Sequence, residues 1–206
     1  MSKMVNTLMR QGYLKTDRVI EAFSDVDRAE FLPEKYQRYA DANIPLPVGG
    51  GQIITQPAAA AVMLELLDLQ EGQSVLNVGV STGWTTTLLD HVVGKNGVVV
   101  GIEIDADILE QAKKNLSNFG FISANNNVTL VCKNGIEGYV EKAPYDRILV
   151  SATASMEPPQ ALKDQLKVGG RMVIPVGENV LMIEKTSETD YVTKERPGFG
   201  LMPLVE

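Results

Sequence analysis

The stretch that most constrains this chain runs from Ser74 to Glu103, SVLNVGVSTGWTTTLLDHVVGKNGVVVGIE. An apolar run (Val75, Leu76, Val78) stops at the glycine-bearing turn Gly79-Val80-Ser81-Thr82-Gly83. A helical segment follows through His91, and a second apolar run, Val98 to Ile102, ends on the carboxylate of Glu103. Two short apolar runs joined through a helix make a β-loop-α-β unit. Such a unit suits a nucleoside ligand. Glycine lets the ligand approach the backbone, and an acid about 20 residues further on can accept hydrogen bonds from ribose hydroxyls.

Three chemistries compete for that turn. A dinucleotide fingerprint wants G-x-G-x-x-G, but Ser81 stands where the second glycine belongs and Gly83 follows too soon. Gly79-x-Ser81-x-Gly83 between strand and helix also matches the nucleophile elbow of α/β-hydrolases. That elbow needs a histidine late in the chain. The only histidine, His91, lies in the helix directly after the turn and cannot swing back to serve Ser81 as a base. The third reading is an S-adenosylmethionine pocket, whose loop is G-x-G-x-G with an acid at the end of the next strand; one glycine is missing here.

Composition narrows the field. At 206 residues, 44% of them apolar, the chain can bury the core of one α/β domain, and a second full domain is not expected. A net charge of -7 argues against nucleic acid or an anionic membrane as partner, since both require clustered cations. The single cysteine, Cys132, excludes an internal disulfide framework, and its apolar run predicts an inert core position. One histidine and one cysteine far apart in sequence make no metal cluster. With no signal segment and no apolar stretch of about 18 residues, a soluble, cytoplasmic protein is expected.

Along the chain, residues 2 to 11 and 16 to 24 read as short helices, with Val19, Ile20 and Phe23 on one face of the second. Together with a short helical piece bearing Tyr36 and Tyr39, they predict an N-terminal helical cap on the sheet. Gly49-Gly50-Gly51 then costs backbone entropy, which points to unusual dihedrals or a close ligand. Thr55 is expected as the N-cap of a helix that carries Pro57 in its first turn and runs to about Leu67. Asp107 to Asn118 has Ile108, Leu109, Ala112 and Leu116 spaced for one buried helix face. Val128 to Cys132 and Asp146 to Ser151 read as strands, and Pro159 to Leu166 as a helix. That helix leads through Gly169-Gly170 into a strand from Arg171 to Pro175, with Asn179 to Lys185 as its antiparallel partner. Alternating strands and helices predict a mostly parallel sheet with helices on both faces. Ligands of such sheets bind at the carboxyl ends of the strands, where Gly79, Glu103, Asn134 and Ser151 to Ala154 all fall.

Taken together, these segments resemble the protein L-isoaspartyl (D-aspartyl) O-methyltransferase family from about Asp25 to Met202-Pro203-Leu204-Val205. Arg28-Ala29-Glu30-Phe31-Leu32-Pro33 looks like the family's R-x-x-F-V-P. Leu46 to Pro57 is similar to L-P-I-G-x-G-Q-T-I-S-Q-P, the stretch most specific to this family. Tyr145 to Ala154 resembles Y-D-R-I-I-V-T-A-A-A, and Gln165 to Gly177 matches Q-L-K-x-G-G-R-L-V-I-P-V-G.

The resemblance implies a Rossmann-like, S-adenosylmethionine-dependent methyltransferase fold in one domain, with residues 1–57 as helical cap and substrate loop and residues 58–206 as core. It also implies methyl transfer to the α-carboxylate of L-isoaspartyl (and D-aspartyl) residues in damaged proteins and peptides, by a monomer. Thr55 stands for the family's catalytic serine. Ile53, Ile54, Thr55, Gly79, Val80, Ser81, Gly83, Glu103, Ile104, Asn134 and Gly135 would hold the cofactor. Glu103 would take the ribose hydroxyls, and Asn134 replaces an aspartate near the adenine. Further departures are Asn77 for an acid, Val80-Ser81 for a threonine-glycine pair, Ile53 for threonine and Ala60 for a histidine of some members. These are expected to cluster in the pocket, and a positive φ at Ser81 would cost roughly 1 kcal/mol or more. Such departures keep open a non-catalytic descendant that only binds, or a methyltransferase for another carboxylate.

Overall fold

The computed structural model describes residues 1–118, 127–198 and 201–204; Val205, the end of the resembling stretch, lies outside them. Helices α1 (Lys3–Arg10), α2 (Asp17–Asp25) and the short α3 (Glu34–Gln37) precede a hairpin of β1 (Leu46–Gly49) and β2 (Gln52–Ile54). Then come α4 (Pro57–Leu67), β3 (Ser74–Val78), α5 (Trp84–Val93), β4 (Val98–Glu103), α6 (Ala106–Asn118) and β5 (Val128–Cys132). The chain continues with β6 (Tyr145–Val150), α7 (Gln160–Asp164), β7 (Leu166–Val176), β8 (Asn179–Lys185) and β9 (Tyr191–Pro197).

Seven strands form the main sheet in the order β5-β4-β3-β6-β7-β8-β9. The first five run parallel, and β8 and β9 join antiparallel at one edge. From β3 the chain builds outward through β4 to β5, then returns to lay β6 on the other side of β3. That reversal leaves a crevice beyond the carboxyl ends of β3 and β6, the usual ligand seat of an open α/β sheet.

Alternation along the strands divides the core into two layers. Val75, Val99, Leu149 and Val173 face one cluster, shared with α4, α5 and Leu116 of α6. Leu76, Val100, Ile148 and Met172 face the other, where Leu162 of α7 and the flanking Tyr139, Ala143 and Leu204 supply the cover. Both faces therefore carry helices, but unequally. Nor does the N-terminal cap lie on the sheet: α1 packs on α4, and α2 on α4 and α5, as a third layer. An apolar stripe with Val19 and Phe23 buried is as easily covered by helices as by strands.

Several boundaries depart from the sequence reading. Helix α4 is capped at Gln56 with Pro57 in its first turn, and Thr55 lies one residue outside it. Strand β7 starts at Leu166 and passes through Gly169-Gly170 with a shift in register against β6. The preceding helix is correspondingly shorter than expected. Cys132 is exposed at the carboxyl end of the edge strand β5, although it shares a face with Val128 and Leu130, which pack into the core.

Candidate active site

A cleft of about 680 Å³, open to solvent, sits over the carboxyl ends of β3, β4 and β6, with the hairpin along one side. Its floor is apolar, made by Val78 and Ile102, and its walls mix polar side chains such as Glu103, Asn134 and Ser151 with the apolar Ile53, Ile104 and Leu201.

Glu103 ends β4 and is 5% exposed, and its carboxylate is held by the backbone. Oε1 accepts from the N–H groups of Ile104 (3.0 Å) and Asp105 (3.2 Å), and Oε2 from Ser81 (2.9 Å). A carboxylate has about four acceptor positions. Three are filled, which fixes the group while leaving Oε2 one position for a ligand.

Gly79, just beyond β3, has φ +88°, and a Cβ there would lie 3.5 Å from Cβ of Ser151 beyond β6. That distance is an ordinary contact, so the left-handed φ rather than space calls for glycine here. Asn134 accepts from the Ile136 N–H (3.1 Å) through Oδ1, starting a short helical turn that sets Gly135 against Val78. An amide oxygen takes a second donor, so the edge of a base can still be met there.

On the hairpin side, Ile53 and Thr55 line the cleft while Ile54 is 2% exposed and packs into the core. Alternation along an extended segment puts neighbours on opposite faces. Behind Thr55 lies Arg28, 1% exposed, which donates to the carbonyls of Ala40 (3.1 Å), Ala42 (3.3 Å), Ile44 (2.9 Å) and Thr55 (3.1 Å). Its guanidinium also lies 5.3 Å from the ring centre of Trp84, and burial pushes its pKa down to about 10. It stays charged at neutral pH and fastens the backbone that carries Thr55.

Of the residues singled out from sequence, Ile53, Thr55, Gly79, Ser81, Glu103, Ile104, Asn134 and Gly135 meet in this cleft. Three do not line it. Ile54 is core, and Val80 packs over β4, where a Cβ on Gly101 would come within 2.6 Å of its Cγ2. Gly83 has φ +97° at the start of α5, and a Cβ there would run into Leu116 of α6. Its lack of a side chain serves helix packing.

The cleft also takes in Gln52, Lys133, Ser151, Ala152 and the segment Leu201–Leu204, none of them among the predicted site residues. That last segment is anchored by the Thr153 N–H donating to the Met202 carbonyl (2.7 Å) and the Leu204 N–H to the Thr153 carbonyl (2.8 Å). Only Ser151 and Ala152 carried a signal, their place at a strand end.

A family model described as Protein-L-isoaspartate(D-aspartate) O-methyltransferase matches residues 1–206. The chain belongs to this family. A protein-L-isoaspartate O-methyltransferase of Methanothermobacter thermautotrophicus is 35% identical over 98% of this chain and 94% of its own length. Protein-L-isoaspartate O-methyltransferase 2 of Archaeoglobus fulgidus is 41% identical over 92% of this chain and 85% of its own. Among solved structures, a protein-L-isoaspartate O-methyltransferase superposes with a TM-score of 0.88 at 29% identity. It covers 99% of this chain, which spans 65% of that longer protein. A Plasmodium falciparum protein solved with S-adenosyl-L-homocysteine gives 0.87 at 23% identity, covering 98% of this chain and 96% of its own, which bears on the fold.

Within this isoaspartate methyltransferase frame, the departures do not cluster in the pocket as expected. Ile53, Ser81 and Asn134 line the cleft, but Asn77, Val80 and Ala60 are buried away from it. Asn77 is fully buried, donates to Oγ1 of Thr86 (2.8 Å) and accepts from Oγ of Ser151 (3.5 Å). A neutral amide suits that place, since a hydrogen-bonded amide is buried at less cost than a carboxylate. Ser81 does adopt the left-handed conformation, with φ +51°.

The residues present fit S-adenosylmethionine: an acid with one open acceptor position, an amide near a glycine, an apolar floor and a hydroxyl on the opposite wall.

Proposed function

We propose that this chain transfers a methyl group from S-adenosylmethionine to the α-carboxylate of L-isoaspartyl (and D-aspartyl) residues in damaged proteins and peptides, the first step of their repair. The observation that carries the reading is that Thr55 and Glu103, 48 positions apart in sequence, line one cleft in a chain matched to the family over residues 1–206. When bound, S-adenosylmethionine supplies a methyl group already activated on a sulfonium.

The chain's residues then have to hold and orient. Glu103 accepts a hydrogen bond from a ribose hydroxyl at its open position, Asn134 and Gly135 meet the adenine edge, and Gly79 borders the methionyl end. The Thr55 hydroxyl donates to the acceptor carboxylate. No general base is required, because a carboxylate with a pKa near 4 is ionised at neutral pH. Catalysis rests on alignment of the reacting atoms, a source worth several orders of magnitude. This agrees with the place of His91, which pairs with Asp25 (3.1 Å) outside the cleft.

Residues 1–57 serve as cap and acceptor side of a single methyltransferase domain, and residues 58–206 as its nucleoside-binding core. One chain supplies every wall of the cleft, which supports a monomer. Among the described residues no helix is long and apolar enough to cross a membrane, in keeping with a cytoplasmic site of action on protein substrates.

The test is a methyl-ester assay on an isoaspartyl peptide and its aspartyl isomer. Methylation of the first alone is expected, and Thr55→Val should lower kcat by at least about tenfold with cofactor affinity retained. Full turnover in Thr55→Val would remove the hydroxyl from the mechanism. Methylation of neither peptide, with S-adenosylhomocysteine still bound, would leave a binding module or another carboxylate substrate.

A further inference from the structure

The hairpin that carries Thr55 is a weak element. It has four residues in β1 and three in β2, pairs with no other strand among the described residues, and turns through Gly49, Gly50 and Gly51, all at positive φ. Two-stranded hairpins of this size are marginal by themselves. Leu46 and Ile54 anchor it in the core from below. Ile53 stands opposite Pro47, which has no N–H, so the two form a non-hydrogen-bonded pair of the antiparallel ladder and the Ile53 carbonyl points away from β1, out of the hairpin.

The Ile53 carbonyl finds a donor elsewhere. Oγ of Ser81 donates to it at 3.0 Å, while the N–H of the same residue donates to Oε2 of Glu103 at 2.9 Å. Ser81 therefore touches both walls of the cleft, its main chain holding the acid and its side chain holding the hairpin. It does so from φ +51°, a conformation that glycine adopts without strain and serine does not. A glycine would hold Glu103 equally well. Only the hydroxyl needs a serine.

We propose that Ser81 is a positioning residue: its hydroxyl ties the nucleoside-side loop to the hairpin and so sets Thr55 against the acceptor carboxylate. The assignment rests on the methyltransferase reading for its consequence, though not for the tether itself. Without the hydroxyl, Glu103 keeps its backbone donors while the Ile53 carbonyl loses the Ser81 hydroxyl. Cofactor affinity and acceptor alignment should come apart.

The test uses the full chain with Ser81→Gly and Ser81→Ala, the glycine variant being free of backbone strain should the alanine variant fold poorly. Hydrogen–deuterium exchange without ligand is expected to quicken about fivefold to tenfold across residues 52–56 in both, the factor for one ordinary hydrogen bond. In the glycine variant the melting temperature should hold or rise. Calorimetry should give S-adenosylhomocysteine affinities within about twofold of wild type, and kcat/KM for an isoaspartyl peptide should fall about tenfold. Unchanged exchange would overturn the tether, and quickened exchange with unchanged kcat/KM would overturn the positioning role. Should the wild-type chain itself fail to methylate, the methyltransferase reading falls, while the exchange measurement still decides the tether.

Discussion

Glu103 does two jobs with one carboxylate. Its contacts with Ser81, Ile104 and Asp105 fold the turn beyond β4, and its remaining acceptor position faces the cleft. A substitution therefore strikes ligand and scaffold together. Glu103→Gln keeps the volume but exchanges one acceptor oxygen for a donor that cannot meet the Ser81 N–H. Affinity for S-adenosylhomocysteine should fall by roughly 1 to 3 kcal/mol, the range for charge-assisted hydrogen bonds, with a lowered melting temperature. Calorimetry decides the first part, and wild-type affinity would mean that the acid serves only the turn. The place of Glu103 at the end of β4 was legible because an acid closing an apolar run is a local signal. The local reading of Thr55 was a helix cap, and its place beside the cleft came through the family resemblance. What Ser81 and Asn77 do was not legible, since it depends on which atoms of distant segments arrive within hydrogen-bond reach. The αL geometry of Ser81 was a conditional expectation, and the Ile53 carbonyl adds a partner that offsets part of its strain, at roughly 1 kcal/mol for a hydrogen bond.

Between elements, the ends of the strands opposite the cleft are fastened by charge. Asp146 at the start of β6 accepts from the Ser74 N–H of β3 (2.9 Å) and from Lys167 Nζ of β7 (2.8 Å). Burial alone would raise its pKa, but the Lys167 and Ser74 hydrogen bonds, with the charges of Lys167 and Arg147, hold it below the ordinary carboxylate value. A depressed pKa stabilises the fold above about pH 4, and that contribution is lost as the pH falls through the folded-state value. Asp146→Asn should therefore cost on the order of 1 kcal/mol at pH 7, allowing for solvent screening, and progressively less below pH 4. Urea unfolding at the two pH values checks this; an equal cost at both would assign the effect to packing. Nearby, Arg147 donates to the carbonyl of Asp68 (3.2 and 3.0 Å), fixing that residue at φ +53° where α4 ends. Elements with strong alternation or apolar runs were readable, and β5 and β8 have the bounds their sequence implied. The β1–β2 hairpin was hidden behind two prolines and three glycines, all poor strand formers. Strand β9 was missed because its edge position leaves nearly every residue exposed, so no apolar alternation marks it.

At the scale of the whole molecule, the order of the strands matters more than any one of them. Laying β6 beside β3 after building out to β5 brings Gly79, Glu103, Asn134 and Ser151 to one edge of the sheet, though 72 residues separate the first from the last. The hairpin and the segment Leu201–Leu204 complete the walls, so the cleft draws on segments spread from Gln52 to Leu204. The parallel core could be anticipated from alternating strands and helices. The closing of the cleft by the C-terminal segment could not, because Leu201–Leu204 carries no pattern and is placed by backbone bonds to Thr153. A ligand held by so many distant segments binds only the folded chain and stabilises all of them at once. At a hundredfold excess over its dissociation constant it adds about 2.7 kcal/mol. For a chain of this size that corresponds to a rise in melting temperature of roughly 5 to 10 °C. S-adenosylhomocysteine should produce this shift in a thermal melt and NAD should not, since a dinucleotide needs the glycine that Ser81 replaces. A melting curve indifferent to S-adenosylhomocysteine at millimolar concentration would mean that this sheet edge holds no adenosyl ligand, and the methyl-transfer assignment would fall with it.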